Sequence, residues 1–238
     1  MTATTVHPRT RPLIDRSDRR ALLQPALAEA IGTFALVFTG TGAVMIDTTT
    51  DGAVTHVGVA ITFGLIIFVM ISAVGHISGA HFNPAVTLAF ASARHFPLRR
   101  VLPYLIAQVG GATVASALLR GMFGNVAHLG TTLPRGSDAQ SLVLEGVLTF
   151  FLMFVITSVA TDTRAVTRAA AFAIGGTVGL EAMFAGPISG ASMNPARSLA
   201  PALISGTGTS LWVYIVGPIL GAIAGAWAYR LIATGAPK

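Results

Sequence analysis

The chain has 238 residues, of which 53% are hydrophobic and only 10% are Asp, Glu, Lys or Arg, with a mean hydropathy of +0.73. A soluble domain carries roughly 25% charged residues and a disordered chain lacks apolar ones, so this composition excludes both and leaves a polytopic helical membrane protein. Cysteine is absent, which removes disulfides, thiolate metal sites and thiol catalysis; the net charge of +6 reads as a membrane-topology signal rather than as nucleic-acid binding.

Residues 1–20 are polar and Arg-rich, with no apolar run long enough for a signal-peptide core, and are expected to form a disordered cytoplasmic tail. A bilayer core takes about 20 helical residues per crossing. With Gly, Pro and charge clusters as punctuation, six spans are predicted near 22–46, 53–74, 101–123, 140–161, 166–185 and 209–232, all in one domain over 21–238. Two apolar segments remain, 76–93 and 187–204, each too interrupted by Gly and Pro to cross as a continuous helix.

The two leftovers are nearly one sequence. Gly75-His-Ile-Ser-Gly-Ala-His-Phe-Asn-Pro-Ala85 matches Gly186-Pro-Ile-Ser-Gly-Ala-Ser-Met-Asn-Pro-Ala196 at eight of eleven positions without a gap. Glu29, Thr33, Phe34, Leu36 and Phe38 recur as Glu145, Thr149, Phe150, Leu152 and Phe154. The chain is therefore two copies of one unit, about 21–125 and 139–235. Three spans per copy turn the second copy upside down, which gives an inverted repeat with its axis in the membrane plane. Twelve of the fifteen basic residues fall on one side of this arrangement, so both termini are predicted to be cytoplasmic.

Asn before Pro starts a helix: Asn is a favoured N-cap, and Pro suits the first helical position because its missing N–H would have no partner there. Each short segment thus reads as an irregular stretch followed by a half-helix. Pro84 to Ala93 would rise about 15 Å, half the hydrocarbon thickness, while Pro201 is expected to interrupt the second half-helix sooner. Entering from opposite faces, the two bring Asn83 and Asn194 together at the midplane. The preceding His-Ile-Ser-Gly-Ala-His and Pro-Ile-Ser-Gly-Ala-Ser are read as non-helical, a state allowed at membrane depth only in protein or along a watery path. Their carbonyls would line that path, the Asn amides would offer donors at its centre, and both half-helix N-termini would oppose cations and protons.

These residues resemble the aquaporin, or major intrinsic protein, family over essentially the whole chain after residue 20. The motifs are Ser78-Gly-Ala-His-Phe-Asn-Pro-Ala-Val-Thr87 and Gly190-Ala-Ser-Met-Asn-Pro-Ala-Arg-Ser198. The run Ala185 to Leu199 is most similar to the nodulin-26-like branch, whose members pass glycerol and undissociated metalloid acids. The resemblance implies an all-α channel of six transmembrane helices and two re-entrant half-helices, with Asn83-Pro84-Ala85 and Asn194-Pro195-Ala196 at its centre. It implies a selectivity filter of Phe63, Ala182, Ala191 and Arg197, and pore-lining carbonyls from Gly79, Ala80, His81, Gly190, Ala191 and Ser192. It further implies a homotetramer with one pore per subunit; the plasma (inner) membrane is the expected location, and no cofactor is expected.

Water-selective members usually carry His where this chain has Ala182, so the opening is expected to be wider and less polar. Glycerol facilitators usually have Asp after the filter arginine, and here Ser198 stands there. The expected activity is passive passage of water and small uncharged solutes such as glycerol, urea or undissociated metalloid acids, with a water-selective pore as the alternative.

Glu29 and Glu145 are intramembrane carboxylates open to a proton-relay role, but their matched positions favour bracing of each irregular loop by hydrogen bonds. Glu181 adjoins a filter position without a repeat partner. Gly217, Gly221 and Gly225 have the spacing of a close helix crossing. His56, His76, His81, His95 and His128 are too scattered for a metal site. A secondary transporter would also use an inverted repeat, but the chain is short for one and shows no ion-coupling site. An intramembrane serine hydrolase using Ser78 or Ser189 with His76 or His81 is disfavoured, because His76 and Pro187 stand where such sites need Gly. No enzymatic activity is expected.

Overall fold

The computed structural model describes residues 16–161 and 167–233. Its six long helices are α1 (Arg16–Thr49), α2 (Thr55–Ser78), α4 (Leu98–Phe123), α5 (Asp138–Thr161), α6 (Thr167–Ser189) and α8 (Val213–Ile232). Each contains a stretch long and apolar enough to cross a bilayer. Two short helices, α3 (Pro84–Ser92) and α7 (Pro195–Ser205), complete the set.

The packing carries the inverted repeat. α1 lies on α4 as α5 lies on α8, and α2 meets its counterpart α6. Each half-helix is clasped by the last helix of the other copy, α3 by α8 and α7 by α4, so neither copy closes alone. Lipid provides no hydrophobic drive for helix association, so close backbone contact must supply it. Glycines stand at these crossings. A Cβ on Gly64 would lie 2.7 Å from the Gly175 carbonyl oxygen where α2 meets α6, and one on Gly217 would lie 3.0 Å from the Leu142 oxygen where α8 meets α5. Gly221 and Gly225 press on the Gly146 and Phe150 carbonyls along the same seam.

The burial pattern is inverted relative to a soluble protein. Leu102, Ile106, Phe151, Phe172, Leu180, Phe184 and Leu220 stand more than half exposed, while Glu29, Glu145, Gln108, Asn83, Asn194 and Arg197 are buried. The apolar side chains face lipid and the polar ones meet inside.

Three sequence expectations change, and one connection brings a turn that none of them foresaw. α1 begins at Arg16, inside the stretch read as tail, because the apolar helix draws its polar first turn into register; residues 1–15 lie outside the described residues, as do Arg164 and Lys238 of the basic-residue count. The irregular stretches are shorter than read. His76 to Ser78 finish α2 and Pro187 to Ser189 finish α6, and each helix ends only where Gly79 (φ 85°) and Gly190 (φ 86°) turn left-handed. α7 continues through Pro201 to Ser205: the buried half-helix, held by its surroundings, tolerates the one hydrogen bond the proline removes. Finally, the connection from α4 to α5 contains a short left-handed turn at Val126–Gly130 that hydropathy does not foretell.

Candidate pore and its constriction

α3 and α7 meet end to end through a reciprocal pair of hydrogen bonds. Asn83 Nδ2 donates to the Met193 carbonyl at 2.7 Å, and Asn194 Nδ2 donates to the Phe82 carbonyl at 2.9 Å. Each side chain also caps its own helix: Asn83 Oδ1 accepts from Ala85 N at 2.8 Å, and Asn194 Oδ1 accepts from Ala196 N at 3.0 Å. An amide nitrogen carries two hydrogens, so the cross-link leaves one on each Asn. Both residues line a narrow cavity of about 80 Å³.

The loops before these caps alternate in hand. Ala80 and Phe82 have φ of 50° and 51°, and Ala191 and Met193 have φ of 41° and 53°. Non-glycine residues hold such angles only where their surroundings over-determine them, and here carboxylates do so. Glu29 accepts from His81 N at 2.9 Å and Phe82 N at 2.6 Å; Glu145 accepts from Ser192 N at 2.9 Å and Met193 N at 2.7 Å. Glu29 also receives Gln108 Nε2 at 2.8 Å, and Glu145 receives Ser189 Oγ at 2.7 Å. A carboxylate can accept four such bonds, which makes it suited to anchoring adjacent backbone N–H groups.

Residues 79–81 and 191–194 form the polar strip of the cavity, and α2, α5 and α6 supply an apolar wall that includes Ile67, Leu152, Ile156 and Val178. Gly190 instead lines an outer cavity of about 320 Å³.

The two cavities share Phe63, Ala182 and Arg197, and Ala191 lines the inner one beside them. Each of the four is less than a tenth exposed. The Arg197 guanidinium sits 5.1 Å from the centre of the Phe63 ring, and its Nη1 donates to the Gly130 carbonyl at 2.7 Å. Its Nε is buried without a partner. The side chains of the two alanines are single methyl groups. Beyond this neck, Thr132 Oγ1, Ser198 Oγ and Ser192 Oγ form a chain with spacings of 2.7 and 2.5 Å, tying the α4–α5 connection to α7.

Sequence reasoning missed Gln108, Tyr104, Thr132 and Gly130. Gln108 bridges Glu29 and Thr87, and Tyr104 Oη donates to the Ser78 carbonyl at 2.8 Å. Gln108 stood out as a polar residue in the uncharged run Val101–Leu119; the other three carry no local signal. His81 bonds Thr87 at 3.0 Å through Nδ1 and is packed by Phe90, Phe96 and Tyr104, while Ser78 Oγ accepts from Ala80 N and Ser189 Oγ is held by Glu145. Neither serine is thus paired with a histidine, and among the described residues no cluster of three metal-ligating side chains occurs. Glu181 lies in a different place, in a groove between α5 and α6 lined by Val147, Phe151, Phe172 and Phe184, away from both pore cavities.

Six spans, two half-helices joined at their caps and a necked polar path between them define an all-helical membrane channel. The chain belongs to the major intrinsic protein family, whose model matches residues 16–229. It is 59% identical to "Aquaporin NIP1-1" of Oryza sativa subsp. japonica over 211 residues, 88% of this chain and 74% of that one. It is 48% identical to "Nodulin-26" of Glycine max over 227 residues, 94% and 84% of the two chains. Among solved structures, the aquaglyceroporin from Plasmodium falciparum superposes with a TM-score of 0.80 at 26% identity, covering 90% of this chain and 98% of that one. The protein is thus a channel for water and small solutes of the nodulin-26-like branch, not an enzyme.

Proposed function

We propose that the pore passes glycerol-sized neutral solutes as well as water, with urea and undissociated metalloid acids in the same size class, and excludes protons and cations. The observation that carries this reading is the neck: Ala182 and Ala191 leave the space opposite Phe63 and Arg197 unfilled, where an imidazole at 182 would narrow it. The apolar wall accepts the carbon skeleton of a polyol while the strip from Asn83 to Asn194 accepts its hydroxyls. Positive charge is opposed three times, by Arg197 and by the N-termini of α3 and α7, each equivalent to roughly half a charge.

In this reading Phe63, Ala182, Ala191 and Arg197 are the filter, and the carbonyls of Gly79, Ala80, His81, Gly190, Ala191 and Ser192 replace the solute's water. Glu29 and Glu145 brace the two loops. The channel is a single domain with both termini in the cytoplasm, set in the plasma (inner) membrane as a homotetramer. Ser198, where glycerol facilitators usually carry Asp, favours the second reading of a water-selective pore. Glycerol uptake into proteoliposomes, followed by stopped-flow light scattering, decides between them. Uptake well above empty vesicles is expected; a rate equal to empty vesicles, with water permeability raised, establishes the second reading.

A further inference from the structure

Pro187 lies within α6 and has no N–H, so the carbonyl four residues earlier, that of Met183, has no helical partner. The site is exposed at the rim of the outer cavity, so without a protein donor this carbonyl would be left to solvent and would tie α6 to nothing. The structure supplies the missing donor from another helix: His56 Nε2 lies 2.8 Å from the Met183 oxygen. Since a carbonyl only accepts, this nitrogen carries the hydrogen. The seat for the ring is built in, because a Cβ on Gly186 would come within 2.7 Å of His56 Cε1.

The bridge has a position that matters. His56 is seven residues, two helical turns, before Phe63 on α2, and Met183 directly follows Ala182 on α6. His56, Phe63, Ala182, Gly186 and Arg197 all line the outer cavity. Deeper in, the same two helices are locked by Gly64 against Gly175 and Gly179. α2 and α6 are therefore pinned at that crossing and again at their outer ends by the imidazole, with the neck between. In the first copy the matching position is His76, which keeps its N–H and can close the helical bond to Ser72, so that half needs no such bridge.

We infer that His56 is a positioning residue for solute selection: by satisfying the carbonyl that Pro187 orphans, it holds the Phe63 wall and the Ala182 wall at a fixed separation. This rests on the reading of the neck as the selective step. Loss of the bridge frees the outer ends to splay from the glycine crossing and favours larger solutes.

The test is a cycle in proteoliposomes, with water and glycerol permeability measured for wild type, His56→Leu, His56→Gln, Pro187→Ala and the double variant His56→Leu/Pro187→Ala. Leucine keeps bulk without a donor, glutamine keeps a donor, and alanine at 187 restores the helical N–H. His56→Leu is expected to raise the glycerol-to-water ratio about threefold or more, below the roughly tenfold that one methylene of pocket size is worth in discrimination. His56→Gln should stay near wild type, and His56→Leu should have no effect once Pro187 is alanine. An unchanged ratio in His56→Leu, or an equal change in both backgrounds, overturns the inference. Should His56→Leu not reconstitute, His56→Ala takes its place in both backgrounds. If wild type passes no glycerol, the proposed solute range fails separately; the same pattern is then sought in water permeability, and its absence overturns the inference.

Discussion

Replacing Glu145 with Leu removes the acceptor for two adjacent backbone N–H groups and one hydroxyl. Glu145 has no exposed surface, and it accepts from Ser192 N at 2.9 Å, Met193 N at 2.7 Å and Ser189 Oγ at 2.7 Å. Ser189 can rotate its hydroxyl elsewhere, but the two amides sit on backbone fixed between Gly190 and the cap of α7. Each orphaned amide costs about 1–3 kcal/mol, or about 2–6 kcal/mol together, and removing a buried carboxyl offsets part of that. A net loss of about 2–4 kcal/mol is large against the 5–15 kcal/mol typical of a folded domain. Glu145→Gln keeps one acceptor oxygen and turns an NH₂ toward the other amide, so about half the loss is expected. Thermal unfolding in detergent should rank wild type above Glu145→Gln and Glu145→Leu last. Water permeability per channel should fall in the same order as the loop from Gly190 to Met193 loses its anchor. A Leu variant with wild-type unfolding and permeability would refute the bracing argument.

Ala182→His should reduce glycerol flux by roughly tenfold or more while water falls less, because a filled neck discriminates by size; equal reductions in stopped-flow light scattering would count against the filter assignment. Gly221→Ala drives a methyl into the Gly146 carbonyl and should cost about 1–3 kcal/mol, whereas Gly110→Ala, with nothing within 4 Å of the new Cβ, should be neutral or stabilise by up to about 1 kcal/mol. Thermal unfolding of the two variants side by side checks this. Arg197→Val removes the bond to Gly130 and one of the three positive centres, so cation leak should rise while water still passes, as read by a dye-based flux assay.

The six spans and two half-helices were legible because hydropathy over about 20 residues and an Asn-Pro helix start are local signals, and the repeat doubles each one. The pairing of Glu29 with Glu145 pointed to loop contacts for the same reason. The loop boundaries were less legible: hydropathy does not separate His76–Ser78 from the loop residues after them, and only a left-handed glycine marks the end of the helix. The left-handed turn had no signal at all. Ala127, His128 and Leu129 hold φ of 46°, 48° and 58° without a glycine, and Leu129 is fully buried by packing that is remote in sequence. That turn presents the Gly130 carbonyl to Arg197, so the arginine's place was readable from its motif but its anchor was not. Pro201 read as a stop because propensity is local, whereas the half-helix is held by α4 and α8.

The central claim is a path that admits neutral molecules and refuses positive charge. It is tested most directly by measuring water permeability and proton flux in the same proteoliposomes, the first by light scattering and the second by an internal pH dye under an imposed potassium diffusion potential. Water permeability should rise in proportion to reconstituted protein while proton flux stays at the level of empty vesicles. Proton flux that rises with protein content, or water permeability that does not, would contradict the account.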